Sequence, residues 1–201
     1  MSRAIFQSTG QALHFAYLIQ SFEAAPESVM AKEMRKHLAM LGETERRSTV
    51  DFGGLNPLEI RGQMAMVRSA VNSRLPKPEA DAIKARYGLV MTSKLPDGTG
   101  SAEISEERRL AIIELAEYLH PQFDNVPRLA LVWLISRAVG NVASMRPAFK
   151  TIATMFGGSA ATMCRVNPKL LVRLAQLERA GIDRLTPVFE REGLVAEACY
   201  G

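Results

Sequence analysis

Between residues 145 and 180 the chain carries six cations, Arg146, Lys150, Arg165, Lys169, Arg173 and Arg179, against one acid, Glu178. A local excess of this kind is what binding to a phosphate backbone requires. Inside it lies IATMFGGSAATMCR, residues 152–165, whose second half supplies side chains able to read the groove of duplex DNA. The methyl of Thr162 and the small Ala160 and Ala161 can meet thymine methyls, and Arg165 can grip guanine or a phosphate. Ser159 stands at the head of this group. The chain as a whole is only mildly basic, at +4 with a pI near 9.3, so the position of the charge matters more than its total.

Positioning these groups calls for two short helices and a tight turn. Pro147 opens a helix through Phe149, Ile152, Ala153 and Phe156. Gly157 and Gly158 break it, and Ser159 caps a new helix beginning AATMCRV. The small Ala153 lets the two helices cross closely, and Gly157, four positions on, can take the positive φ that such a turn demands. Ile152, Phe156 and Met163 form the shared apolar seam. This is the sequence shape of a helix-turn-helix, whose second helix enters the major groove led by its N-terminal residues. Asn167-Pro168 then predicts a stop near Val166, because proline disfavours helix in the residue before it. A new helix starts with Asn167 as cap and Pro168 in its first turn, placing Leu170, Leu171, Leu174 and Leu177 on one face for packing or for a dimer contact. IDRLTPVFEREGLV reads as one more short helix, ended by Gly193.

The remaining chain reads as helices punctuated by caps and prolines. Residues 9–22 have helical spacing at Leu13, Tyr17, Leu18 and Phe22. PESVMAKEMRKHLAML (26–41) follows, closed by Gly42, and then a polar loop at 43–54. Asn56 and Pro57 begin a third helix that ends before Pro76, and residues 78–88 make a fourth. PDG and GTGS mark residues 92–103 as the best candidate for an internal loop or domain boundary. Ser105 begins the next helix, with Glu106, Glu107, Arg108 and Arg109 as its solvated start, and Pro121 stops it. Residues 126–139 form a strongly apolar, central helix with Gly140 as its C-cap. No alternating run reads as a strand, so the expected class is all-α, with nine or ten helices. The expected division is an N-terminal helical region (1–91) for self-association or partner contact, and a DNA-binding region (104–201).

With its elements placed, IATMFGGSAATMCR resembles the pattern I-A-x-x-x-G-x-S-x-x-T-apolar-x-R. That pattern is common in helix-turn-helix domains of bacterial and phage regulators, including the sigma-factor domain that reads the −35 promoter element. Ile152, Ala153, Gly157, Ser159, Thr162, Met163 and Arg165 fall on it. SRLPKPEADAIKARYG, residues 73–88, also resembles the segment preceding such domains in phage late-gene antiterminators. The resemblance implies a regulator of phage or mobile-element origin, with duplex DNA and RNA polymerase as partners. A recognition helix headed by two alanines offers few hydrogen-bond donors, which two copies in a homodimer, or a partner protein, would make good.

Other chemistry finds little support in the sequence. His14, His37 and His120 are scattered without second ligands, Ser159 has no neighbouring base, GTGS lacks the lysine of a phosphate loop, and DFGG stands without other kinase elements. The two cysteines, Cys164 and Cys199, have no partner at metal-ligand spacing, and Cys164 reads as a small buried residue. No cofactor or enzyme activity is expected. Apolar runs such as LALVWLI are shorter than the roughly 20 residues a membrane span needs, and the N-terminus lacks signal-peptide character, so the expectation is a cytoplasmic protein away from membranes. The leading expectation is a DNA-binding transcriptional regulator. The alternatives are a phage DNA-packaging or replication accessory protein, and a helical protein-interaction module in which residues 147–166 are only a corner of the core.

Overall fold

The computed structural model describes residues 4–20, 52, 54–94, 100–140 and 146–196. The helix expected over 26–41, nearly all of the loop over 43–54, His37 and Cys199 lie outside them. Among the described residues the chain is mostly helical, with seven α-helices and one two-stranded hairpin. It divides into two compact units, one from Met1–Arg74 with Ile182–Gly201, the other from Leu75–Gly181.

The unit built from both ends of the chain centres on α1 (Thr9–Ile19), which is buried nearly all round, as a core helix must be when it is apolar on every side. Ser8 caps it, accepting from the Gln11 backbone N–H at 3.2 Å. α2 (Pro57–Arg74) buries Ile60, Met64, Val67 and Val71, one stripe at helical spacing. Its start is a reciprocal capping box: Glu59 N–H donates to Asn56 Oδ1 at 2.9 Å, and Asn56 N–H donates to Glu59 Oε2 at 2.7 Å. Arg68 Nη1 donates to the Ala16 carbonyl at 2.7 Å. Near the other end, Gly193 at φ +70° ends the last helix and turns the chain back. Phe6 then donates to Leu194 O and accepts from Ala196 N–H, a short parallel bridge.

The second unit runs through α3 (Lys77–Tyr87), β1 (Val90–Lys94), β2 (Gly100–Ile104), α4 (Glu106–Leu119), a 3₁₀ turn at His120–Gln122, α5 (Arg128–Val139) and α6 (Phe149–Phe156). Residues 160–181 of α7 (Ala160–Arg191) complete it. α4 packs against α3 and α5, and α5 against α6. One core joins them: Ala82 and Ala85, Ile112, Leu115 and Leu119, Leu131, Leu134 and Ile135, and Ile152, with Met163, Val166, Leu170, Leu174 and Leu177 from α7. The antiparallel hairpin pairs Val90 with Ile104 and Lys94 with Gly100, where the sequence led us to expect a loop and no strand. Val90, Thr92 and Ile104 supply β-branched residues at alternate positions, but each strand is only five residues long, too short for its alternation to stand out.

A larger departure lies in α7. The expected stop at Val166, the new helix at Asn167 and the separate helix over 182–193 are replaced by one helix of 32 residues, with Pro168 and Pro187 in its interior. The apolar stripe Met163, Val166, Leu170, Leu174, Leu177 keeps helical phase across the proline. Burying such side chains stabilises by about 1.5–3 kcal/mol each, against about 3 kcal/mol for an interior proline. Pro168 is exposed, and so is Cys164, whose carbonyl loses its intrahelical partner and can be hydrated instead. Exposure of Cys164 also corrects its expected burial. Pro168→Ala restores one backbone donor and is expected to stabilise the protein by about 1–2 kcal/mol, a little less than the full proline penalty because the freer unfolded chain offsets part of it. A higher urea midpoint by circular dichroism checks this, and an unchanged or lower midpoint would contradict it.

The solvated start expected for α4 is half wrong. Arg109 is exposed and paired with Glu106, but Arg108 is 1% exposed. Its Nη1 donates to the Gly88 carbonyl at 2.7 Å and its Nη2 to the Val139 carbonyl at 2.8 Å. These carbonyls belong to the C-cap of α3 and the last residue of α5, where the helix dipole is negative. Burial, and to a smaller degree the charge of Arg86, lowers the Arg108 guanidinium to about 10, still cationic at neutral pH. Gly88 must be glycine for this approach: a Cβ there would stand 2.4 Å from Lys84 O and 2.9 Å from Arg108 Cβ.

Candidate nucleic-acid interface

α6 and α7 are separated by three residues. Gly157 (φ +88°) and Gly158 (φ +94°) take the positive φ that only glycine adopts without strain, as the sequence led us to expect. Gly157 N–H closes α6 onto Ala153 O at 2.9 Å. Ser159 caps α7, its Oγ accepting from Thr162 N–H at 3.1 Å and lying 2.9 Å from Thr162 Oγ1. Of the expected seam, Ile152 and Met163 are buried, and so is the small Ala153. Phe156 is partly buried, packed on the core with its ring centroid 5.8 Å from that of Trp133 on α5.

The nine residues singled out as DNA contacts separate into two groups. Lys150 on α6 and Ala161, Arg165 and Lys169 on α7 are exposed. Among the described residues Arg165 makes only a long 3.5 Å contact, from Nε to Ala161 O. The side-chain ammonium groups of Lys150 and Lys169 have no partner among the described residues. The others are at least partly committed to the fold. Arg146 Nε donates to Gly140 O at 2.9 Å. Arg137, its guanidinium 4.5 Å from the centre of the Phe149 ring, donates to the Arg146 and Pro147 carbonyls. Together these bonds tie the entry of α6 to the end of α5, and nothing in the sequence set these two arginines apart from phosphate-binding ones. Arg173 is half-buried and donates to Gln176 Oε1 at 3.1 Å. Ala160 packs against the core, and the Ser159 and Thr162 hydroxyls are engaged with each other.

On α7, Arg165, Lys169 and Arg173 are spaced by four residues, so they form a row along one side of the helix. Glu178, the lone acid of the basic stretch, faces Arg86 of α3 at 3.9 Å. It also raises the Tyr87 hydroxyl, which burial first of all pushes up to about 12. The acid is thus balanced within the fold and does not offset the α7 cations. Among the described residues no group of histidine, cysteine and carboxylate side chains is arranged to hold a metal ion, and no helix is long and apolar enough to cross a membrane. No protein-family model matches the chain, and no curated protein matches its sequence.

Proposed function

We propose that the protein binds duplex DNA through α6, the Gly157–Ser159 turn and the first turns of α7, and acts as a transcriptional regulator. The observation that carries the reading is the exposed pair of cations on α7, Arg165 and Lys169, that follows a three-residue, double-glycine turn. In that arrangement Lys150, Arg165 and Lys169 hold phosphates and position the helix, while Ala161 and the Thr162 methyl lie toward base edges. Committing the Ser159 and Thr162 hydroxyls to the cap leaves few donors for base readout. Recognition by one copy then rests on shape and methyl contacts, and two copies on a two-fold site supply the missing specificity.

Fluorescence anisotropy with a labelled duplex tests the proposal. Wild-type protein is expected to bind in a salt-dependent manner, and Arg165→Ala to weaken binding by roughly fivefold to tenfold, the scale of one lost charged contact. Absence of wild-type binding at low salt would instead identify residues 147–166 as a corner of the helical core.

A further inference from the structure

Within the second unit lies a groove of about 330 Å³ lined by Ile104 of β2, Arg109, Ile112 and Ile113 of α4, and Val132, Trp133 and Ser136 of α5. That volume is at the small end of the range for ligand pockets, and the walls are overwhelmingly apolar, as such pockets are. Trp133 is 38% exposed although its ring packs beside that of Phe156. Its open face gives the groove an aromatic wall with a polar N–H, the kind of surface that small-molecule sites use.

Each polar group of the groove can donate, the Ser136 hydroxyl also being able to accept. Arg109 gives Nε to Glu106 Oε2 at 2.7 Å and Nη2 to Glu106 Oε1, so the carboxylate occupies one edge of the guanidinium. The other edge, carrying Nη1 and the second Nη2 hydrogen, has no partner among the described residues, and it has the fork geometry that takes a carboxylate bidentately. The Ser136 hydroxyl has no partner among the described residues, and the Trp133 indole adds an N–H. A ligand seated here must present acceptors at its polar end and an apolar body to the three isoleucines and Val132.

We propose that this groove is a binding site for a small amphipathic carboxylate, an aromatic or branched apolar body of a few carbons ending in one carboxyl group. Arg109 takes the carboxylate on its free edge, Ser136 supports it, and Trp133 covers the apolar body. The site stands whether or not the protein binds DNA.

Trp133 is the single tryptophan of the chain, so its intrinsic emission reads occupancy without a label. The probes are 4-phenylbutyrate and the matching neutral alcohol, 4-phenylbutan-1-ol. The carboxylate is expected to change Trp133 emission saturably at millimolar concentration or below, and the alcohol to bind at least about tenfold more weakly, the difference a charge-assisted bidentate contact makes. Arg109→Gln is expected to erase that difference, with carboxylate binding falling at least about tenfold to the level of the alcohol. Val132→Phe, which fills the groove, is expected to abolish both, with circular dichroism verifying the fold. Equal binding of the two probes, an Arg109→Gln variant that still prefers the carboxylate, or no saturable change with either would overturn the proposal.

Discussion

Duplex binding by the variant carrying Lys150→Ala, Arg165→Ala and Lys169→Ala is expected to be lost at near-physiological salt, while the fold is retained. The three side chains are exposed, and their charged groups form no bond shorter than 3.5 Å among the described residues, so their removal costs the core little. Each phosphate neutralised contributes a slope of about −0.9 in log affinity against log salt, so three contacts per protomer give a slope near −2.7. Raising salt from about 50 to 200 mM then weakens the wild-type protein roughly 40-fold per protomer engaged. Arg146→Ala serves as the contrast. Because Arg146 is bonded to the Gly140 carbonyl, its loss is expected to lower thermal stability and leave the slope nearly unchanged. Titrations of all three proteins over a salt series measure this. A slope that falls equally for Arg146→Ala, or a triple variant that binds like wild type, would place the interface elsewhere.

Arg108→Met is expected to destabilise the unit spanning 75–181 by about 2–4 kcal/mol, a shift of roughly thirtyfold to a thousandfold in the unfolding equilibrium. Methionine fills much of the volume, so the cost is chiefly that of two carbonyls, Gly88 O and Val139 O, losing a charged donor at helix ends. The desolvation penalty of the buried guanidinium is recovered on substitution, which keeps the estimate below the sum of two charged hydrogen bonds. Arg108→Lys is expected to rescue less than half of the loss, because a single ammonium cannot reproduce the planar fork that reaches both carbonyls. Urea unfolding of the three proteins decides the matter. A methionine variant as stable as wild type would show that the two carbonyls find other partners.

The local signals in the sequence were legible because their chemistry is local. Asn56 with Pro57, Ser105, the Gly157–Ser159 turn and Gly193 all stand where caps and turns were expected, each satisfying backbone groups within a few residues. What escaped depends on partners distant in sequence. Pro168 looks like a boundary until the stripe from Met163 to Leu177 meets the core. Arg108 looks solvated beside Glu106, Glu107 and Arg109, although it is in phase with Ile112, Leu115 and Leu119, a signal that could have exposed its burial. Of the nine candidate contacts, the sequence distinguished residue type but not commitment: Arg146 and Lys150 read alike, and only packing shows that one is bonded to backbone and the other is not.

The division of the chain has a consequence for the cost of closing each unit. Residues 75–181 are contiguous, so that unit assembles its core from one stretch of chain. The other unit joins segments from both sides of that stretch: α1 and α2 precede it, while Leu185 and Phe189, and the segment at Leu194–Ala196 that pairs with Phe6, follow it. Bringing them together closes a loop the length of the whole 75–181 stretch, at an entropic cost that must be met before the contacts it allows can form. Contacts so distant in sequence form late, so the unit that holds α1 is expected to be the slower of the two to fold.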